Sequence, residues 1–181
     1  MTPRWDYLIT PYGTEYNNTK KIAGKSLVIN TSIESAAFVN RLGVVSAVPN
    51  GGKIPLGSIV VLHHNVFRTY LDMKGRKRKS NEYFRENQYL VDSSKIYMYN
   101  EGSGWKTTEG YCFVSPIDHI QDSEIYRSDK QKEEHVGVVK NSSVHKEGTK
   151  VGFTKNSEYE FTIDDEKTYR MKDSDICIKF N

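Results

Sequence analysis

The stretch GVVSAV at residues 43–48, followed after a polar turn by LGSIVVL at residues 56–62, decides the fold of this chain. Both segments are rich in β-branched residues, which favour strands. The turn between them contains the pair Asn50-Gly51, which is typical of a tight hairpin. Near the end of the chain GVV at residues 137–139 precedes EGTKVGF at residues 147–153 in the same manner. The sequence therefore predicts one antiparallel strand pair that occurs twice.

The segments around these strand pairs repeat as well. The stretch DYLITP at residues 6–11 precedes the first pair, and YCFVSP at residues 111–116 precedes the second. A strand, a polar turn and another strand follow in each half, as YLVDSSKIY at residues 89–97 and YRMKDSDIC at residues 169–177. Short strands repeated at regular spacing indicate two copies of one small all-β module. We expect tandem small β-barrels.

Charge divides the chain near its middle. Residues 1–100 contain 14 Lys or Arg and 7 Asp or Glu, a net charge of +7, whereas residues 101–181 contain 12 and 16, a net charge of −4. The segment EGSG at residues 101–104 is small and polar, as linkers often are. We therefore expect a first module at residues 1–100, a linker at residues 101–104 and a second module at residues 105–181.

Composition excludes several classes of protein. No apolar run approaches the roughly 20 residues that a membrane-spanning helix needs, and the first residues do not resemble a signal peptide. Two cysteines give neither a disulfide framework nor a zinc pattern. His63 and His64 are adjacent in a predicted strand and should point to opposite faces, away from a common metal. We expect a cytoplasmic protein that is not an enzyme, with no catalytic residue, metal or cofactor.

One long segment, about residues 12–40, has no strong strand alternation. It contains AGKSLVINTS at residues 23–32, in which three apolar residues stand between small and polar ones. A loop of this length within a compact module is uncommon and is often functional. The corresponding part of the second half, residues 117–135, is shorter and contains no such apolar triplet.

Taken together, these segments resemble the GroES-type co-chaperonins, the chaperonin-10 family, in a duplicated form. Residues 23–32 look like the family's mobile loop, and GVVSAV looks like the strand that follows it. The stretch GSIVVL at residues 57–62 resembles the family's Gly-Asp-x-Val strand, and KDSDICI at residues 172–178 resembles its closing Ser-Asp-Ile segment. The resemblance covers most of the chain as two copies.

The resemblance implies a function. A ring of such chains would cap a GroEL-type chaperonin in its nucleotide-bound state and assist protein folding, and the partner would bind the ATP or ADP. The chaperonin-binding residues implied are Leu27, Val28 and Ile29, flanked by Gly24, Ser26 and Asn30. The second module has a short loop, so it would contribute to ring geometry without such a triplet.

The run KGRKRK at residues 74–79 lies in a segment, about residues 69–88, that departs from the family as a basic hairpin insertion. Its charges suit nucleic-acid phosphates, and the residues concerned are Arg76, Lys77, Arg78 and Lys79. A solvated hairpin tip that protects a sheet edge is the simpler interpretation, and we expect that one. A third possibility is that the barrel was reused as a structural or assembly protein, for example in a viral particle.

Overall fold

The computed structural model describes residues 2–17, 19–22, 25–28, 36–118, 132–164 and 166–180. In this part of the chain the fold is all-β, as predicted, and its only helical elements are three single 3₁₀ turns. The strands are β1 (Tyr7–Pro11), β2 (Thr19–Ile22), β3 (Lys25–Val28), β4 (Leu42–Ala47), β5 (Ile59–Leu62), β6 (Thr69–Leu71), β7 (Lys77–Lys79), β8 (Tyr83–Arg85), β9 (Gln88–Val91), β10 (Ile96–Asn100), β11 (Trp105–Thr107), β12 (Tyr111–Asp118), β13 (Lys132–Ser142), β14 (Lys150–Phe153), β15 (Tyr159–Ile163), β16 (Glu166–Lys172) and β17 (Ile176–Lys179).

The chain divides into two compact units, Met1–Trp105 and Lys106–Asn181, and the division falls within β11. The main sheet of the first unit has the order β11-β10-β5-β4-β1-β9-β8, and two further pairs, β2–β3 and β6–β7, form separate two-stranded sheets. The sheet of the second unit has the order β15-β16-β12-β13-β14-β17. Without β11, the two orders are the same. Each of these sheets ends in two edge strands among the described residues, so neither closes on itself there.

The residue pairing also repeats. Pro11 pairs with Gly43 and Ile9 with Val45 in the first unit. In the second, Pro116 pairs with Gly137 and Val114 with Val139. Each pairing has a β-bulge just before the Ile9 or Val114 position, and bulges increase sheet twist. The same register and the same irregularity thus occur in both units.

The turn before β5 has a counterpart before β14. The Val45 N–H donates to the Ser58 carbonyl at 3.0 Å, and the Gly57 N–H donates to the Val45 carbonyl at 2.9 Å. In the second unit the Val139 N–H donates to Thr149 at 2.9 Å, and the Gly148 N–H donates to Val139 at 2.8 Å. Gly57 and Gly148 have φ angles of +82° and +81°, which explains why glycine occupies both positions.

Each unit has its own apolar core. In the first, residues of β1, β4, β5, β9 and β10 pack with a loop segment around the fully buried Phe67 and Tyr89, whose rings meet edge to face at 4.8 Å between centroids. In the second, Val114, Val139 and Met171 form the centre of a smaller cluster. Cores of this kind fix which face of each strand points inward.

Two predicted segments have a more specific form than expected. Residues 101–104 make the turn between the hydrogen-bonded strands β10 and β11, where the Asn100 side chain accepts from the Gly102 N–H at 2.8 Å. The predicted single hairpin at residues 69–88 consists of the β6–β7 hairpin and of β8, which pairs with β9. Among the described residues, no helix has the length and apolarity of a membrane span.

Candidate functional site

The predicted docking segment lies partly in a small hairpin. Leu27 and Val28 belong to β3, where their backbones pair with Lys20 and Thr19 of β2. The sequence analysis expected an irregular loop here, but within the described residues β2 and β3 form a regular antiparallel pair. These strands hydrogen-bond to each other and not to the main sheet. Ser26 pairs with Lys21, whereas the predicted residues Gly24, Ile29 and Asn30 lie outside the described residues.

The chain segments that lead into and out of this hairpin are joined by a stem, which we define as residues 12–17 and 38–42. The Asn17 N–H donates to the Phe38 carbonyl at 2.8 Å, and the Asn40 N–H donates to the Glu15 carbonyl at 2.9 Å. Tyr16 and Val39 form a β-bridge between these contacts. The stem therefore fixes where the hairpin begins and ends.

Asn40 holds the stem together through its side chain, which is buried with 3% of its surface exposed. Its Nδ2 group donates to the carbonyls of Tyr12 at 2.9 Å and Thr14 at 2.7 Å. Its Oδ1 atom accepts from the Leu42 N–H at 2.9 Å. A buried amide with three hydrogen bonds satisfies backbone groups that would otherwise lack partners. Asn40 is thus the central residue of the stem.

Two side chains attach the stem to its surroundings. The Tyr16 hydroxyl accepts from the Thr69 N–H at 2.7 Å, at the start of β6. The Glu15 carboxylate accepts from the Tyr89 hydroxyl at 2.6 Å and forms an ion pair with Lys79 of β7. Burial and the neighbouring Glu15 carboxylate raise the pKa of Tyr89, so this phenol stays protonated and remains a donor. The stem and the basic hairpin are therefore held against each other.

The basic hairpin, β6–β7, is organised by Asp72. The Asp72 carboxylate accepts from the backbone N–H groups of Lys74 and Arg76, both at 2.9 Å. It also accepts from the Nε atoms of Arg76 at 3.0 Å and Arg78 at 3.2 Å. These hydrogen bonds, led by the Arg76 N–H, hold the pKa of Asp72 below its usual value, although desolvation opposes them. One carboxylate thus aligns two guanidinium groups.

The four basic residues that the sequence singled out do not act alike. Arg76 and Arg78 bind Asp72, and Lys79 pairs with Glu15. Lys77 is exposed. In β6–β7 Tyr70 is directly opposite Arg78, so these two residues share one face of the hairpin. The opposite face carries Lys79.

A surface cavity of about 420 Å³ lies beside that hairpin. Its lining residues come from the β5–β6 connection, from β6, from the turn before β8 and from the 3₁₀ turn after β9. Most of the side chains are polar or charged, and they include His63, Arg68, Tyr70, Asn81, Glu82 and Lys95. Lys95 and Glu82 form an ion pair at this site.

The prediction for His63 and His64 was wrong. β5 ends at Leu62, so the two residues lie in the following turn, where their rings stack with centroids 4.2 Å apart. The His63 Nδ1 atom accepts from the Asn65 N–H at 3.1 Å. No group of three metal-ligating side chains occurs among the described residues.

Sequence reasoning missed Asn40, Glu15 and Asp72. Asp72 had a recognisable signal, because Asp followed by Gly three residues later is typical of a turn in which the carboxylate binds backbone N–H groups. Asn40 and Glu15 had none, because their partners are distant in the sequence. A scan against family models finds no match to this chain, and a search of curated proteins finds none either.

Proposed function

We propose that this chain is a tandem co-chaperonin, in which two GroES-like barrel modules occur in one subunit and a ring of subunits caps a GroEL-type chaperonin. The observation that carries the proposal is the repeated six-strand order, with the same register at Gly43 and Gly137. This repetition supports the duplicated module on which the resemblance rests. The order of the motifs along the sequence supplies the connection to co-chaperonins.

The proposed contact with the chaperonin is made by Leu27, Val28 and Ile29. In the described residues the β2–β3 hairpin is separate from the main sheet, and the stem holds its two ends together. Such a hairpin suits a segment that inserts into an apolar groove of a partner. Burying the three apolar side chains would contribute roughly 1.5–3 kcal/mol each before the cost of ordering the segment.

Attachment would then depend on several subunits. One segment of this size binds weakly, whereas several on one ring bind firmly, because each bound segment raises the effective concentration of the next. A weak single contact also permits release when the chaperonin changes its nucleotide state. The strand β17 supports ring assembly, since it lies at a sheet edge and carries Ile178 with 52% of its surface exposed.

Co-sedimentation of the purified chain with a GroEL-type chaperonin, with and without ATP or ADP, tests the proposal. We expect nucleotide-dependent binding that is lost when Leu27, Val28 and Ile29 are all changed to Ser. The matched control changes three exposed apolar residues elsewhere, Leu56, Met73 and Val144, to Ser. Both variants should assemble as the parent does. Full binding by the first variant would refute the docking assignment.

Absence of binding under every nucleotide condition, with the chain folded, would argue against the function itself. A structural or assembly role for the same barrels would then be the better explanation. A chain that sediments as a ring and binds no chaperonin would point to the same conclusion.

A further inference from the structure

The region around the basic hairpin has a charge out of proportion to its size. Residues 66–88 contain seven Lys or Arg and three Asp or Glu, a net charge of +4, whereas the whole chain has a net charge of +3. Concentrated positive charge attracts polyanions and raises their association rate. A solvated tip needs no more than a few such charges, so the excess calls for a second explanation.

The arrangement of the arginines supplies one. Arg76 and Arg78 contact Asp72 through Nε, which leaves their Nη groups directed to other acceptors. Their side chains are 60% and 51% exposed. Guanidinium groups bind phosphate oxygens in a fixed fork geometry, and a carboxylate that holds the Nε atoms orients that fork. Lys74 and Lys77 add exposed charge on the same hairpin.

Aromatic side chains accompany these charges. Tyr70 lies opposite Arg78 on the hairpin, with 40% of its surface exposed, and it lines the cavity. Tyr83 and Phe84 of the edge strand β8 are also exposed, and each has a cation beside its ring, Lys79 at 5.9 Å and Arg85 at 5.1 Å. Exposed rings next to cations are typical of surfaces on which nucleobases stack.

The cavity completes the set. Its volume of about 420 Å³ lies in the range of small-molecule sites. Asn65 and Asn81 offer amide donors and acceptors there, of the kind that pair with base edges, and Arg68 and Lys95 offer positive charge. An acidic peptide would use the charges but would have no use for the aromatic side chains and the amides.

We propose that the β6–β7 hairpin and this cavity form a binding site for single-stranded nucleic acid. The phosphates lie along Lys74, Arg76, Lys77 and Arg78, and one base stacks on Tyr70 at the mouth of the cavity. The site is independent of the proposed chaperonin contact, since none of its residues belongs to the β2–β3 hairpin.

Fluorescence anisotropy with labelled oligo-U and oligo-dT, each about 12 nucleotides long, tests the proposal on the full chain. We expect binding at 50 mM salt that weakens roughly 50-fold at 200 mM, because four phosphate contacts to a single strand give a slope of about −2.8. Changing Lys74, Arg76, Lys77 and Arg78 to Gln should bring that slope toward zero. The matched control changes Lys146, Lys155, Lys172 and Lys179, four exposed lysines of the second unit, to Gln and should bind as the parent does.

Tyr70→Ala separates a stacking site from a surface that merely attracts polyanions. Loss of one stacked base should weaken binding roughly 5- to 150-fold with little change in the salt slope. A preference for oligo-U would indicate that the 2′-hydroxyl is bound, and equal binding would indicate phosphate and base contacts alone. The proposal is overturned if the parent does not bind at 50 mM salt, if the control loses affinity as the hairpin variant does, or if polyglutamate competes as well as the oligonucleotides and Tyr70→Ala has no effect.

Discussion

Asn40 allows a quantitative test of the stem. Changing Asn40 to Ala removes three hydrogen bonds, from Nδ2 to the carbonyls of Tyr12 and Thr14 and from the Leu42 N–H to Oδ1. Each such bond contributes about 0.5–1.5 kcal/mol, and a buried polar group left without a partner costs about 1–3 kcal/mol. We therefore expect the free energy of unfolding of the first unit to fall by about 2–4 kcal/mol.

Asn40→Asp should be worse than Ala at neutral pH. The substituted carboxylate retains an acceptor for the Leu42 N–H but faces the Tyr12 and Thr14 carbonyls with negative charge where the amide had donated. Burial and these carbonyls raise the carboxyl pKa in the folded state above its value in the unfolded state. Stability is therefore highest below the unfolded pKa and decreases as the pH rises through the folded pKa.

Urea unfolding of the full chain, monitored by circular dichroism from about pH 4 to pH 8, measures both effects. Asn17→Ala is the control, because Asn17 is exposed and contributes its backbone N–H to the stem, so its loss should stay within about 0.5 kcal/mol. A loss below 1 kcal/mol for Asn40→Ala would refute the reasoning. So would an Asn40→Asp variant whose stability relative to the parent is the same at both ends of the pH range.

Two further predictions concern the framework and the cysteines. Gly137→Ala should destabilise the second unit by about 1–3 kcal/mol, because the added Cβ would lie 2.7 Å from the Ser115 carbonyl oxygen; Gly43→Ala should lose less, since its nearest backbone atom is 3.2 Å away, and a reversed order in thermal unfolding would contradict this. Burial raises the pKa of the Cys112 thiol to about 12, whereas Cys177 is exposed. A thiol reagent near pH 8 should therefore add once to the folded chain, at Cys177, and intact mass with peptide mapping would detect an unexpected second adduct.

The framework strands were predictable because their signals are local. The alternation and β-branched residues around Gly43 predicted β4, and Gly57 predicted the turn before β5, since few residues accept its positive φ angle. The shared order of six strands required more than the sequence offered. Strand order depends on which distant segments pair, and β1 pairs with both β4 and β9, far away along the chain.

The details of the site were less predictable for the same reason. The run of basic residues was visible, but its geometry depends on Asp72, which draws Arg76 and Arg78 to one point. The stem depends on Asn40, whose partners lie at least 26 residues earlier in the chain. The stacked pair His63 and His64 was misassigned because β5 ends one residue before it.

The framework and the functional segments of the first unit are distinct in how they are built. The framework strands use their inward faces for the core, so they have little freedom to acquire new contacts. The segments inserted between them, β2–β3 and β6–β7, form sheets of their own. Glu15 connects the two, since it accepts from Tyr89 of the core strand β9 and pairs with Lys79 of the basic hairpin. A duplicated framework can therefore keep its fold in both units while the insertions of the first acquire binding functions.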